Sequence, residues 1–157
     1  MALNDDFAET FLDIAGAPIP ADMQGRSLVP LMKGEHPADW RTSMYYRYYH
    51  DPGDHNTRAH YGLRTETNKL IYFWKKDQWE MYDLVKDPDE LHNLYNDPTQ
   101  QDLVAKLKAE MYRLKKELKD DDQFANHQPT TGVEGPGGKD PGKGKHKNPD
   151  AAAPSES

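Results

Sequence analysis

The 157-residue chain contains no cysteine, which excludes disulfides, thiolate metal ligands and cysteine nucleophiles and leaves the redox compartment unread. It has no apolar run near the roughly 20 residues of a membrane span. Its start, MALNDDFAET, lacks the basic, apolar and small-residue sections of a signal peptide, so the expectation is a soluble chain. Apolar residues are also scarce, at 35% against 30% charged with a mean hydropathy of -1.05, so the core must be confined to part of the chain. Positive charge is in deficit: 20 Lys and Arg face 27 Asp and Glu, a net charge of -7, which argues against nucleic acid or an anionic membrane as a partner. No Gly-rich phosphate loop, HExxH or GxSxG occurs.

What is present divides unevenly. From Ala125 to Ser157 the only large apolar residue is Val133, and Gly, Pro, Lys and Asp fill GPGGKDPGKGKHKNPD, so residues 125–157 read as a disordered, low-complexity tail. Near the other end, Asn4 or Asp5 is a candidate N-cap and Phe7, Phe11, Ile14 and Ala15 fall at helical spacing, with Gly16 and Pro18 as the stop. Leu28 to Met32, interrupted by Pro30, allows at most a short helical turn. SMYYRYYH, AHYGLRT, KLIYFW and WEMYDL, between Ser43 and Leu84, are β-rich, strand-length runs separated by polar turns, which predicts four antiparallel strands. Asp97 and Pro98 open a long helix whose stripe of Leu103, Leu107, Met111, Leu114 and Leu118 covers one face of that sheet. The first helix has no such neighbour and looks like part of something larger.

Few residues carry chemistry. His50, His55 and His60 recur every five residues with Asp51 and Asp54 between them, but that spacing fits neither a helical nor a strand face, so no metal ligands are assigned. Strand alternation in AHYGLRT sets Tyr61 and Leu63 on one face and His60, Gly62 and Arg64 on the other. That second face has no side chain at its centre; His60 can exchange hydrogen bonds with a hydroxyl and Arg64 can bind an anion. The alternative is a solvent-facing strand whose Arg64 pairs with Glu66 or Glu80. Tyr45, Tyr46, Tyr48, Tyr49, Trp74 and Trp79 can stack on sugars, although cross-strand packing is the simpler role. Asp120, Asp121 and Asp122, like KDPDE, read as a solvated helix end and a turn, since neither has an EF-hand pattern.

The ordered series of motifs is more specific. Asn4, Asp6, Phe7, Ala8, Thr10, Leu12 and Gly16 resemble the helix that closes the large domain of type I sulfatases, and QGRSLVPL resembles the next block. DWRTSMYYRYYHDPG, HYGLRTETNKLIYF and WEMYDLVKDPDELHNLY then resemble, in order and spacing, the C-terminal subdomain of sulfatases acting on carbohydrate sulfates, of the N-sulphoglucosamine sulphohydrolase type. The resemblance runs from Leu3 to about Lys119. It implies an α+β fold: a four-stranded antiparallel sheet packed by a long C-terminal helix, preceded by an N-terminal helix left over from an alkaline-phosphatase-like α/β domain. Residues 1–34 would then be the terminal helix and linker of an absent catalytic domain, and residues 35–124 the subdomain.

In such enzymes a Cys or Ser in a C/S-x-P-x-R box becomes formylglycine and a calcium ion helps to hold the sulfate. None of Ser27, Ser43, Ser155 and Ser157 is followed by x-Pro-x-Arg, so no catalytic residue is assigned, and formylglycine and calcium are expected only in the catalytic domain. Asp5 and Asp6 are not counted as calcium ligands. The resemblance gives His60 a position that reaches the sugar beside the sulfate in related enzymes, with Arg64 as the accompanying substrate candidate and a structural pairing as its alternative. The expected function is the substrate-pocket segment of a sulfuric ester hydrolase, inactive alone; the expected partners are sulfated carbohydrate within a full enzyme, and the catalytic half or a second copy through the first helix. The rival readings are a standalone carbohydrate-binding or interaction module and a small metalloenzyme built on the three histidines. The sequence leaves the compartment open, although the family is often periplasmic or secreted.

Overall fold

A computed structural model describes residues 1–51, 53, 56–123 and 125; the expectations for Asp54, His55 and the tail after Ala125 fall outside the described residues. Three helices, α1 (Asp6–Ile14), α2 (Val29–Met32) and α3 (Gln101–Glu117), flank four strands, β1 (Ser43–Tyr48), β2 (His60–Thr65), β3 (Asn68–Phe73) and β4 (Gln78–Asp83). The strands form one antiparallel sheet in the order β1-β2-β3-β4, so every strand pairs with its neighbour in sequence. The β-branched and aromatic runs explain the strands, and polar residues turn them: the Thr65 hydroxyl accepts from the Asn68 N–H at 2.9 Å to close the β2–β3 hairpin.

One face of the sheet carries Tyr61, Leu63, Leu70 and Met81, which close with Val104, Leu107 and Met111 of α3 into the core. The α3 stripe is therefore centred on Val104, Leu107 and Met111, with Leu103 and Leu114 packed at its margins. Asp97 caps a short 3-10 turn, Pro98–Gln100, accepting from the Thr99 N–H at 2.8 Å, and α3 begins one turn later than the Asp97-Pro98 pair predicts. The β4 edge is covered because Leu94 N–H donates to the Met81 carbonyl at 2.8 Å and Asn93 accepts from the Met81 N–H at 3.0 Å. KDPDE is the turn expected: Asp87 accepts from the N–H groups of Leu91 and His92.

The rings fill the edge of the core. Tyr72 stacks on Trp79 at 4.3 Å, Trp79 on Tyr95 at 5.5 Å and Tyr61 on Trp74 at 5.8 Å, so these rings stabilise the sheet. The acidic run differs from expectation at Asp120. Asp120 is partly buried against Arg47, which bonds both its oxygens at 2.7 and 2.8 Å and Asp122 at 2.6 Å, while Lys115 bonds Asp122; Asp121 and Asp122 remain exposed, as a solvated helix end would be. Arg47 came to lie there because alternation turns it toward the core, where its guanidinium sits 4.6 Å from the Trp74 ring centre.

Helix α1 is inverted. Phe7, Phe11 and Ile14 are 53%, 67% and 63% exposed, whereas Asp6, Glu9 and Thr10 are buried. Asp5 holds the N-cap position without a side-chain cap bond, and Gly16 ends the helix with the paired bonds Gly16 N–H to Asp13 and Ala17 N–H to Leu12.

Candidate functional site

The site is built on the sheet face turned away from α3. Because Tyr61 and Leu63 point into the core, His60, Gly62 and Arg64 must share the opposite face, as alternation predicts. The register sets Tyr48 opposite His60, Tyr46 opposite Gly62 and Met44 opposite Arg64.

His60 is half-buried among rings. Its imidazole lies 5.7 Å from Tyr48, 5.7 Å from Tyr46 and 5.4 Å from Phe73, and its Nδ1 is 2.7 Å from the Arg58 carbonyl oxygen. Nε2 has no hydrogen-bond partner among the described residues. Arg64 is exposed and makes no ion pair with Glu66 or Glu80. Four residues along a strand separate His60 and Arg64 by about 13 Å, so they do not converge on one chemical group. If both meet a ligand, they meet different parts of it.

The centre of this face is filled, contrary to the open glycine that the sequence suggests. Tyr46 lies across Gly62, so that a Cβ there would fall 2.7 Å from the Tyr46 hydroxyl and 2.5 Å from the Leu70 carbonyl oxygen. Glycine is required by that close approach and offers a ligand no path to the backbone. The Tyr46 hydroxyl is buried without a partner. Burial, with the Glu90 and Glu80 carboxylates nearby, pushes its ionisation well above the usual tyrosine range, so it stays a neutral donor. Beside it, Tyr82 donates to Glu80 at 3.0 Å, which together with burial pushes the Tyr82 phenol up to about 12, and Lys69 pairs with Glu90 at 2.6 Å.

The described residues gather no donor set for a metal ion. No group of three His, Asp or Glu side chains able to hold an ion occurs among the described residues, and His50 meets only the edge of Tyr48. Asp6 is fully engaged elsewhere: it accepts from the N–H groups of Leu3 at 2.7 Å and Arg26 at 2.9 Å, and from Arg41 Nη1 at 2.5 Å. Burial opposes its ionisation, but the Arg41 bond and the two N–H groups prevail and hold its carboxyl below the usual range.

A groove of about 650 Å³ lies elsewhere, between β1, α3 and the linker, with Arg26, Arg41, Arg47 and Arg113 in its walls. Each of these is already paired, with Asp39, Asp6, Asp120 and Glu110 respectively, which leaves Lys119 as the cation of the groove without an ion pair among the described residues. His60 is not among its walls.

Sequence reasoning named His60 and Arg64 as substrate candidates and Tyr46 and Tyr48 as strand tyrosines able to stack on sugars, but gave no sign of the Arg58 carbonyl. Tyr46 and Tyr48 were visible as strand tyrosines; their bearing on the site depends on the β1–β2 register.

Comparison with known proteins bears on what this face serves. An N-acetylglucosamine-6-O-sulfatase of Bacteroides thetaiotaomicron is 42% identical over 125 residues, which is 78% of this chain and 22% of that protein. A solved structure of a protein in complex with its substrate D-glucosamine-2-N,6-O-disulfate superposes with a TM-score of 0.72 at 40% identity, covering 78% of this chain and 25% of that one. The phosphonate monoester hydrolase of Agrobacterium radiobacter, at 23% identity and a TM-score of 0.60 over 72% of this chain and 24% of its own, shares the fold. The chain thus spans about a quarter of the length of the relatives it matches. The four-stranded sheet, long C-terminal helix and preceding helix are those of the C-terminal part of alkaline-phosphatase-like sulfatases. Residues 1–117 match the family model described as N-sulphoglucosamine sulphohydrolase, C-terminal, and the chain belongs to that family.

Proposed function

We propose that this chain is the substrate-facing C-terminal part of a sulfuric ester hydrolase acting on sulfated carbohydrate, and that it does not break the sulfate ester by itself. His60 contacts the sugar through a hydrogen bond, and Arg64, about 13 Å along the strand, meets a more distant anionic part of the same ligand. Nucleophile, formylglycine and calcium belong to a catalytic part of the enzyme outside these residues. The observation that supports this reading is the state of His60: one nitrogen anchored on backbone and the other without a described partner, on the sheet face not used by the core, in a chain of the sulfatase family. At this half-buried position Nε2 is open to water, and so to a ligand that displaces it.

In a full-length sulfatase carrying this segment, His60→Ala should reduce kcat/KM on a sugar sulfate by the loss of one or two hydrogen bonds, roughly 1 to 3 kcal/mol, with nearly unchanged Tm. A small aryl sulfate offers no sugar hydroxyl and should be hydrolysed as before. Equal losses on both substrates would transfer His60 to the sulfate itself and refute the sugar contact. The isolated chain should show no turnover with or without calcium; turnover that survives removal of host enzymes would refute the division of labour. Tight binding of a sulfated glycan by the isolated chain would favour a standalone binding module instead.

A further inference from the structure

We propose that the Arg58 carbonyl and a cage of three rings, Tyr46, Tyr48 and Phe73, hold His60 as its Nδ1-protonated tautomer, making it a hydrogen-bond acceptor that selects a free hydroxyl or amine of the substrate over a sulfate. The selection rests on the sugar-contact role of His60; the tautomer does not.

A carbonyl oxygen has no hydrogen to give, so the 2.7 Å contact between Nδ1 and Arg58 O requires the proton on Nδ1. Neutral imidazole has a single N–H, and Nε2 therefore keeps its lone pair. The carbonyl is well fixed. Arg58 lies two residues before His60, and Ala59 between them is 1% exposed, which pins the backbone where β2 begins.

The rings fix the plane of the imidazole. Tyr48 stacks on it at an interplanar angle of 29°, Tyr46 meets it edge-on at 74° and Phe73 is tilted at 44°. Tyr46 and Tyr48 come from β1 and Phe73 from β3, so β2 carries His60 between walls from both neighbouring strands. Tyr48 is itself packed, since a Cβ at Gly53 would fall 1.8 Å from its hydroxyl. A half-turn of the imidazole about χ2 would exchange Nδ1 for a carbon, break the carbonyl bond and sweep the ring through the space these walls occupy. The sequence alternation that makes β1 rich in tyrosine thus supplies the walls, and one backbone oxygen supplies the polarity.

The chemistry that follows is specific. A fixed lone pair on Nε2 accepts from an O–H or N–H and meets the unprotonated oxygens of a sulfate with repulsion. The substrate position facing His60 is therefore one that carries a free hydroxyl or amine, and a second sulfate at that position is discriminated against.

The test uses the full chain, labelled with 15N in its histidine rings, at about pH 8.5, two units above the roughly 6.5 of an unperturbed imidazole. The His60 ring is identified by the signals lost in His60→Gln. The expected result is an N–H-type shift for Nδ1 and a lone-pair shift for Nε2, retained in Tyr48→Phe and averaged toward a tautomer mixture in Tyr48→Leu and Phe73→Leu, with backbone amide spectra preserved. Should one of the leucine variants fail to fold, the other reads the same loss. An Nε2-protonated or averaged ring in the unaltered chain would overturn the proposal, and leucine variants that fold with an unchanged ring spectrum would overturn the cage. A full-length sulfatase with this segment should favour substrates bearing a hydroxyl over those with a sulfate at the neighbouring carbon, a preference lost in His60→Ala. If His60→Ala leaves sugar sulfates unaffected while the tautomer is as expected, the substrate-contact role is what falls.

Discussion

Replacing Asp6 by alanine tests whether polar contacts rather than apolar ones seat α1. Asp6 is fully buried, its partner Arg41 is 14% exposed, and the two meet at 2.5 Å while the Leu3 and Arg26 N–H groups complete the carboxylate's shell. Removing one partner of such a pair leaves the other charge stranded and costs about 3 to 5 kcal/mol. Arg41 retains the face of Trp40, 5.3 Å away, and some access to water, so the lower end, about 3 kcal/mol, applies. That is roughly a hundredfold in an opening equilibrium. The packing of α1 reaches α2 and the linker, whereas the core joins the sheet to α3, so the loss should be local. In native-state hydrogen exchange, the amides of residues 10–17 should open about a hundredfold more readily in Asp6→Ala, while urea unfolding followed by tryptophan fluorescence shifts little. Acid should mimic the substitution. Folding depresses the Asp6 carboxyl below its ordinary 3.8, so its contribution is complete above about pH 3.8 and disappears as pH falls through the lowered folded value. Exchange in α1 unchanged within about threefold, or a collapse of the whole sheet, would refute this account.

Three other outcomes follow from the packing. Gly62→Ala should lower the Tm by an overpacking cost of about 1 to 3 kcal/mol, and Tyr46→Leu should not rescue it, because the Leu70 carbonyl 2.5 Å from the new Cβ is backbone and cannot swing aside; full rescue would refute the clash. Met111→Ala, at a fully buried position where α3 meets the sheet, should cost about 2 to 5 kcal/mol in urea unfolding, and a loss under 1 kcal/mol would move the centre of the core elsewhere. Taken alone, the chain should show concentration-dependent association in sedimentation that Phe7→Ser with Phe11→Ser removes, since burying each ring is worth up to about 1.5 to 3 kcal/mol; a monomer at all concentrations would refute it.

The sequence was most legible where structure is local. The four strands and α3 follow from alternation, helical spacing and turn residues within windows of a few residues; the strand ends agree closely with the expected runs, while α3 starts one turn late. His60, Gly62 and Arg64 fall on one face for the same reason. What could not be read depends on distant partners. Asp120 looks solvated until Arg47, 73 residues earlier, is brought beside it. Gly62 looks like an opening until the β1–β2 register lays Tyr46 over it. The apolar stripe of α1 was correctly read, but periodicity says only that two faces differ in polarity, not which one the chain will bury.

That last point connects α1 to the candidate site. An apolar face tolerates many seatings, since burial is non-directional, whereas Asp6 demands three donors in fixed directions. Burying the polar face therefore fixes the orientation of α1 and leaves Phe7, Phe11 and Ile14 aimed outward. The Arg41 donor stands two residues before β1, and β1 carries Tyr46 and Tyr48, the walls around His60. A short, directional path of contacts, from Asp6 through Arg41 and β1 to the imidazole, sets the geometry between the exposed phenylalanines and the His60 face. The exposed phenylalanines thereby hold a defined position relative to His60, which an apolar attachment of α1 would not have provided.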